Sequence, residues 1–388
     1  MRVYQIFVDR FSTGSGAKDS ELSMRTSRRW MGGNLRGVEK HLDHIKSMNF
    51  DAIWLSPVFK SGSYHGYDVI DHFHVDPHFG SERDLAALVR KAHSLGMKVI
   101  LDFVANHVSN RHPFFVEALK DKRSEHRSWF RFDEKGNYAC FMNVKELPKL
   151  DLQKRDPRNF MLDIASYWID NFDIDGYRLD HAIGPPKDFW REFVHNCRNK
   201  RTDFIFLPEI WFAGVGKDAF RNIDFFDEKD RMVIDSISDA KDDISLKVWN
   251  SPANMAIQRY ALKKGENIFG SVLDFEYNFK IRKKVIMKEE DLSVDAYPNR
   301  FSFLDNHDMQ RIAWIANTIE RMKEAIKELY KAKDLVFYYG TEIGMTQMKD
   351  FSEYKAYADT EARRFMNWNP SGFQKELLRY VLSLSKSV

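Results

Sequence analysis

Short runs of apolar, β-favouring residues recur along the chain at positions 3–8, 52–56, 99–104, 174–179, 204–207, 271–275, 301–304 and 335–339. Between several of them the apolar positions return every three to four residues, as at 84–95, 157–172 and 312–332, the period of an amphipathic helix. Strands that alternate with helices and are apolar enough to be covered on both faces predict a parallel sheet. Eight such units predict an α/β fold closed into a (β/α)8 TIM barrel. Two strand-to-strand intervals are too long for one helix. The first covers 108–155 after the third strand and the second 212–267 after the fifth, and each begins where barrel enzymes build their catalytic loops. The expected organisation is a barrel of residues 1–107 and 156–388, a small cleft-wall domain inserted at 108–155, and a charged helical insertion at 212–267.

Composition narrows the class. A chain of 388 residues, 43% hydrophobic and 14% aromatic, fills a large core and excludes a disulfide miniprotein or a small bundle. Sixty Lys and Arg against 57 Asp and Glu leave a net charge of +3, with no basic field for nucleic acid. No apolar run approaches the roughly 18 residues of a membrane span. The two cysteines, Cys140 and Cys197, lack metal-ligand spacing and read as buried free thiols. Residues 3–8 read as a strand rather than the apolar part of a signal peptide, which gives the cytoplasm as the expected compartment.

Four of the strands end in charged residues: Asp102 followed by Asn106 and His107, Arg178 with Asp180, Glu209, and His307 with Asp308. A lone carboxylate is costly to bury, and the ends of parallel barrel strands converge on one mouth, so these residues are expected to share a cleft. Side chains two apart on a strand point the same way. Arg178 and Asp180 should therefore face the barrel axis while Tyr177 and Leu179 face the helices. The adjacent guanidinium is expected to lower the Asp180 pKa, suiting a nucleophile, and the apolar frame of Leu207, Pro208, Ile210 and Trp211 to raise that of Glu209, suiting a proton donor. One carboxylate of each kind is the signature of glycoside hydrolysis. Any one of them alone is as readily a helix cap or a surface ion pair; their coincidence at four strand ends carries the reading. A second reading stays open, in which Asn106, His107, His307 and Asp308 ligate zinc or manganese, although the positive Arg178 would repel a cation. His74 and His93 read as solvated or satisfied, Phe114-Phe115 and Phe225-Phe226 as core, and Asp163, Asp170, Asp173 and Asp175 as surface charge.

In this order and at these strand ends, the four segments resemble the four signature regions of the α-amylase family of glycoside hydrolases. The resemblance extends over residues 4–11, 32–37, 53–57, 65–68, 76–80, 338–345 and 363–368. The opening segment, Leu147-Pro148-Lys149-Leu150-Asp151 and Glu209-Ile210-Trp211 are most similar to cyclomaltodextrinases, neopullulanases and maltogenic amylases. The resemblance implies that Asp180 is the nucleophile, Glu209 the general acid and base, and Asp308 the carboxylate gripping sugar hydroxyls. Arg178 would orient Asp180, Asp102, His107 and His307 would shape the subsite, Tyr67 would stack on its sugar, and Asp68 paired with Arg363 would close its non-reducing side. The implied activity is retaining hydrolysis of α-1,4 links in a maltooligosaccharide, cyclodextrin or other α-glucan, with maltose and glucose as products and transglycosylation beside hydrolysis. A glucanotransferase or sugar isomerase would use the same carboxylates; a non-catalytic sugar-binding protein would be marked by the loss of one, and all three are here. No cofactor is required. Because residues 181–184 read His-Ala-Ile-Gly, departing from the relatives' Lys-His or Asn-Glu, the structural calcium some of them hold there is not carried over. The chain opens at its first strand and stops soon after Trp368, so the flanking β-domains of those relatives are expected to be missing. The 212–267 insertion is then the expected self-association surface of a homo-oligomer.

Overall fold

The computed structural model describes residues 1–211, 223–239, 252–287, 299–350 and 359–386. Among the described residues the strands are β1 (Arg2–Ile6), β2 (Ala52–Leu55), β3 (Phe59–Ser61), β4 (Val69–Val75), β5 (Lys98–Phe103), β6 (Gly176–Leu179), β7 (Ile205–Pro208), β8 (Val272–Asp274), β9 (Arg300–Ser302) and β10 (Asp334–Tyr338). All but β3 and β4 lie in one eight-stranded sheet, in the order β7-β6-β5-β2-β1-β10-β9-β8. Every pairing in it is parallel. Helices between the strands complete a (β/α)8 barrel. Among the described residues no ladder joins β7 to β8. The two edges meet where the Ser271 hydroxyl donates to the carbonyl of Phe206 at 2.7 Å.

The strands are apolar on both faces because each face packs on something. Val3, Ala52, Trp54, Ile100, Leu207, Leu273, Phe301 and Val336 fill the barrel interior. Their neighbours one residue away, Tyr4, Ile53, Val99, Leu101, Phe206, Leu335 and Phe337, join the larger cluster beneath the helices, as does Tyr177 of β6. The helix Glu82–Ser94 starts at a capping box of Ser81 and Asp84, and Arg155–Phe172 stops at Asp173 in the left-handed region. The helical periodicity at 312–332 resolves into two pieces, Ile312–Ala316 and Ile319–Leu329. Asn317 ends the first at φ 59°, and the Thr318 side chain caps the second by accepting from the Arg321 amide.

The antiparallel hairpin β3–β4 had no counterpart in the sequence reading, because Asp71, His72 and His74 interrupt its apolar run. Its turn carries Tyr67 and Asp68 to the barrel mouth. Residues 108–154 contain the helix Pro113–Lys120, two short 3-10 turns and isolated bridges such as His107 with Lys149 and Cys140 with Pro148. Phe115, Trp129 and Phe130 are buried there, and Phe114 stacks on His126 with centroids 4.0 Å apart. The fifth excursion is described in part. It holds the helices Glu228–Asp239 and Pro252–Phe269, with Phe225 and Phe226 buried as core, while Phe220, Trp249 and residues 241–244 lie outside the described residues. Both cysteines are buried, and neither forms a disulfide among the described residues. Asp175 departs from its expected place on the surface: it is buried and accepts from the Val99 amide and from His93, each at 2.8 Å.

Candidate active site

Inward positions at the ends of β5, β6 and β7 hold Asp102, Arg178 with Asp180, and Glu209, and one guanidinium joins them. Arg178 Nη1 donates to Asp102 Oδ1 at 2.8 Å and to Asp180 Oδ1 at 2.9 Å, and its Nη2 lies 2.8 Å from Glu209 Oε2. Arg178 is 1% exposed. A planar donor fork locked on three sides fixes the carboxylates in direction as well as position.

A second chain of contacts runs to the other side of the mouth. Asp102 Oδ2 accepts from Trp54 Nε1 at 3.1 Å and from the Tyr67 hydroxyl at 3.0 Å. Having given its proton to Asp102, that hydroxyl accepts from His307 Nε2 at 2.6 Å, which leaves His307 Nδ1 to accept from the Gln5 amide at 2.8 Å. The Tyr67 and His307 rings lie parallel, 8° apart in plane. Asp308 is reached by His307 Nε2 at 3.0 Å and by Arg363 Nη2 at 2.6 Å, and its side chain stays 33% exposed, open to the cleft. His107 is buried against Phe141, and its Nδ1 faces the Asn106 side-chain amide at 3.2 Å.

One expected pair does not form. Arg363 spends its guanidinium on Asp308, on Asp359 one helical turn before it and on the carbonyl of His307, whereas Asp68 is held by Ser63 and lies 3.6 Å from Arg111. Alternation along β1 and β2 turns Gln5 and Trp54 inward, Gln5 onto His307 and Trp54 against the Arg178 guanidinium; the sequence carries no such signal for Asp359 or for Tyr64, which also contacts Arg363. His307 engages both ring nitrogens, and among the described residues no three His, Cys, Asp or Glu side chains converge as a metal-binding set.

The electrostatics overturn a second expectation. Burial outweighs the attraction of Arg178, so the Asp180 carboxyl is pushed up to about 6 rather than down. Burial raises Asp102 to about 7 and raises Glu209 as well. One cation cannot keep three buried carboxylates fully ionised, and they titrate as a coupled set. Asp308 moves the other way: burial pushes it up, but His307, Arg363 and Arg178 more than offset this and hold it well below the ordinary carboxylate range.

The 108–154 segment is pinned against the end of β6. Lys149, 2% exposed, donates from Nζ to the carbonyl of Gly184 at 3.0 Å and to Asp224 at 2.6 Å, and Arg131 reaches the same carboxylate at 2.5 Å. Phe141 meets the His181 ring edge-on at 4.7 Å.

Comparison with known proteins agrees with this architecture. The chain matches the Alpha amylase, catalytic domain family over residues 5–137 and 128–382. It is 33% identical to Alpha-amylase 2 of Dictyoglomus thermophilum over 99% of this chain and 62% of that protein. It is 30% identical to a cyclomaltodextrinase of Geobacillus thermopakistaniensis over 98% of this chain and 60% of that one. Among solved structures, the α-amylase of Geobacillus thermoleovorans complexed with acarbose superposes with a TM-score of 0.71 at 28% identity, covering 100% of this chain and 78% of the other. The chain therefore spans 62% and 60% of the length of those two curated relatives. With a match that runs almost from one end to the other, the chain belongs to the α-amylase family of glycoside hydrolases.

Proposed function

We propose that the protein is a retaining α-glucan hydrolase acting on α-1,4 links of short maltooligosaccharides or cyclodextrins, with a second sugar able to replace water as acceptor. The observation that carries this is the placing of Asp180 and Glu209 on the two Nη atoms of one buried arginine. Two carboxylates so held suit the retaining separation of about 5 to 5.5 Å. In the first step Asp180 attacks the anomeric carbon and forms a glycosyl ester, while Glu209 protonates the departing oxygen. In the second step Glu209 takes the proton of the incoming water or sugar, which displaces Asp180. Asp308, its side chain 33% exposed to the cleft, is the group available to grip hydroxyls, and Tyr67 offers a ring to the same sugar.

This chemistry runs on carboxylates and an arginine and needs no cofactor. Calcium also suits residues 181–184 poorly, since the Gly184 carbonyl and Asp224 already share the Lys149 ammonium. No helix among the described residues is long and apolar enough to cross a membrane, and a relative in Bacillus subtilis, 27% identical, is named intracellular maltogenic amylase; the cytoplasm is the proposed compartment. Chromatography of products from maltotriose, maltoheptaose, β-cyclodextrin and starch tests the reading. Maltose, glucose and new reducing ends, with slow attack on intact starch, are expected. Redistributed chain lengths without net reducing ends would make the enzyme a glucanotransferase instead.

A further inference from the structure

The ladder between β6 and β7 carries one irregularity, and it falls on the catalytic residues. In a parallel pair, a residue whose carbonyl accepts from a neighbouring amide is followed two positions later by an amide donating to that neighbour's carbonyl. The Glu209 amide donates to the Leu179 carbonyl at 2.9 Å, so His181 should return a bond to the Glu209 carbonyl. Ala182 makes that bond instead, also at 2.9 Å. The extra residue puts His181 at φ 42°, in the left-handed region that side chains other than Gly and Asn adopt at a cost. Its released amide turns to the side chain and donates to Glu209 Oε2 at 2.9 Å. The bulge is closed behind by the Gly184 amide donating to the His181 carbonyl at 2.8 Å. A Cβ at Gly184 would sit 2.1 Å from Asn106 Oδ1, so only glycine lets the chain return so close.

We infer that this one-residue bulge is a positioning device, in which the left-handed backbone of His181, and not its imidazole, aims an amide at Glu209 and favours the ionised form of that carboxylate. The inference rests on the reading of Glu209 as acid and base. The imidazole itself packs on Phe141, and burial holds it down at about 3, so it brings no charge to the site at working pH. The other groups that bear on Glu209 are Arg178 on β6, Asp180 beside it and Asp308 after β9. None of them is displaced by a change at residue 181 that keeps the ladder.

The test compares His181→Gly and His181→Asn, which keep the left-handed conformation readily, with His181→Ala and His181→Val, which resist it increasingly. Because Glu209 must be protonated to act as acid, the alkaline limb of kcat/KM against pH reports its pKa. Losing the amide donor should move that limb up by about one pH unit in the Val variant and by less in Ala, with kcat falling more than KM rises, while Gly and Asn keep the limb in place. If Val fails to fold, the pair of Ala and Gly, both without a ring, still decides the matter. Gly and Asn shifting the limb as far as Ala would assign the effect to the imidazole and overturn the inference, as would an unmoved limb in Ala and Val. Glu209→Gln separates the two levels: activity surviving it would overturn the acid–base reading itself, whereas its loss beside an unmoved limb in Val would overturn the bulge alone.

Discussion

Arg178 answers three carboxylates with a single positive charge, and that imbalance governs what each residue does. Asp180→Asn and Glu209→Gln should each lower kcat by roughly a thousandfold or more, and the double variant should be scarcely worse than either, since residues that act as a unit are strongly non-additive; additive losses in steady-state kinetics would contradict the shared mechanism. With Asp180 raised to about 6, hydrolysis should also rise with pH through that region as the proposed nucleophile ionises. Asp102 gives a stability test of the same cluster. Its carboxyl titrates near 7 in the folded protein, against about 3.9 in an unfolded chain. Between those values the folded form holds the extra proton, so the contribution of Asp102 to stability is present at low pH and is lost as pH rises through the window. The Asn variant lacks this term. Its Tm relative to the native protein should therefore climb from about pH 4 to pH 7, and a flat difference in scanning calorimetry would mean that Asp102 stays ionised throughout.

The elements were legible in proportion to how completely their sequence pattern expresses their surroundings. All eight barrel strands could be read because each is a short, mostly apolar run that is buried on both faces, and alternation along β6 placed Arg178 and Asp180 inward correctly. The same reasoning missed the direction of the Asp180 shift, since a sequence displays the neighbouring charge but not the depth of burial that opposes it. It also missed the strands β3 and β4, whose polar positions face half-solvated surroundings, although the resemblance over 65–68 had singled out Tyr67 between them. Asp175 looks like surface charge until the folded chain brings His93 and the Val99 amide to it from another segment. Local signals that were honoured can be tested apart from catalysis. Ser81→Ala removes the capping box of the helix Glu82–Ser94 and should cost about 1 kcal/mol in urea unfolding, with kcat unchanged because the helix start touches no catalytic group. A loss below the error of the measurement would show that tertiary packing alone holds that end.

At the scale of the molecule, the 108–154 segment is joined to the barrel by shared apolar core and by buried charge, with isolated bridges in place of a continuous sheet. Lys149 bridges the Gly184 carbonyl and Asp224, and Arg131 shares the carboxylate. Lys149→Met leaves Asp224 with one cation instead of two. It should destabilise the protein by roughly 1 to 3 kcal/mol, less than the full cost of stranding a buried charge, because Arg131 remains. Limited proteolysis should then cut first within 108–154; unchanged cleavage would mean that the aromatic cluster alone holds the segment.

The junction between β7 and β8, where no ladder forms among the described residues, bears on how the proposed substrate would be held. Glu209 follows the strand on one lip of that opening, and Asp308 follows β9, the strand next to the other lip. A sugar gripped by both residues would act as a staple across a junction where, among the described residues, no ladder forms and the Ser271 hydroxyl bonds to the Phe206 carbonyl, coupling occupancy of the cleft to the mechanical closure of the barrel. Binding of acarbose or another slow ligand should accordingly slow amide hydrogen exchange in β7 and β8 more than in β1 or β2, which are laddered on both sides. Uniform protection around the barrel would show that the lips are already as rigid as the rest of the ring.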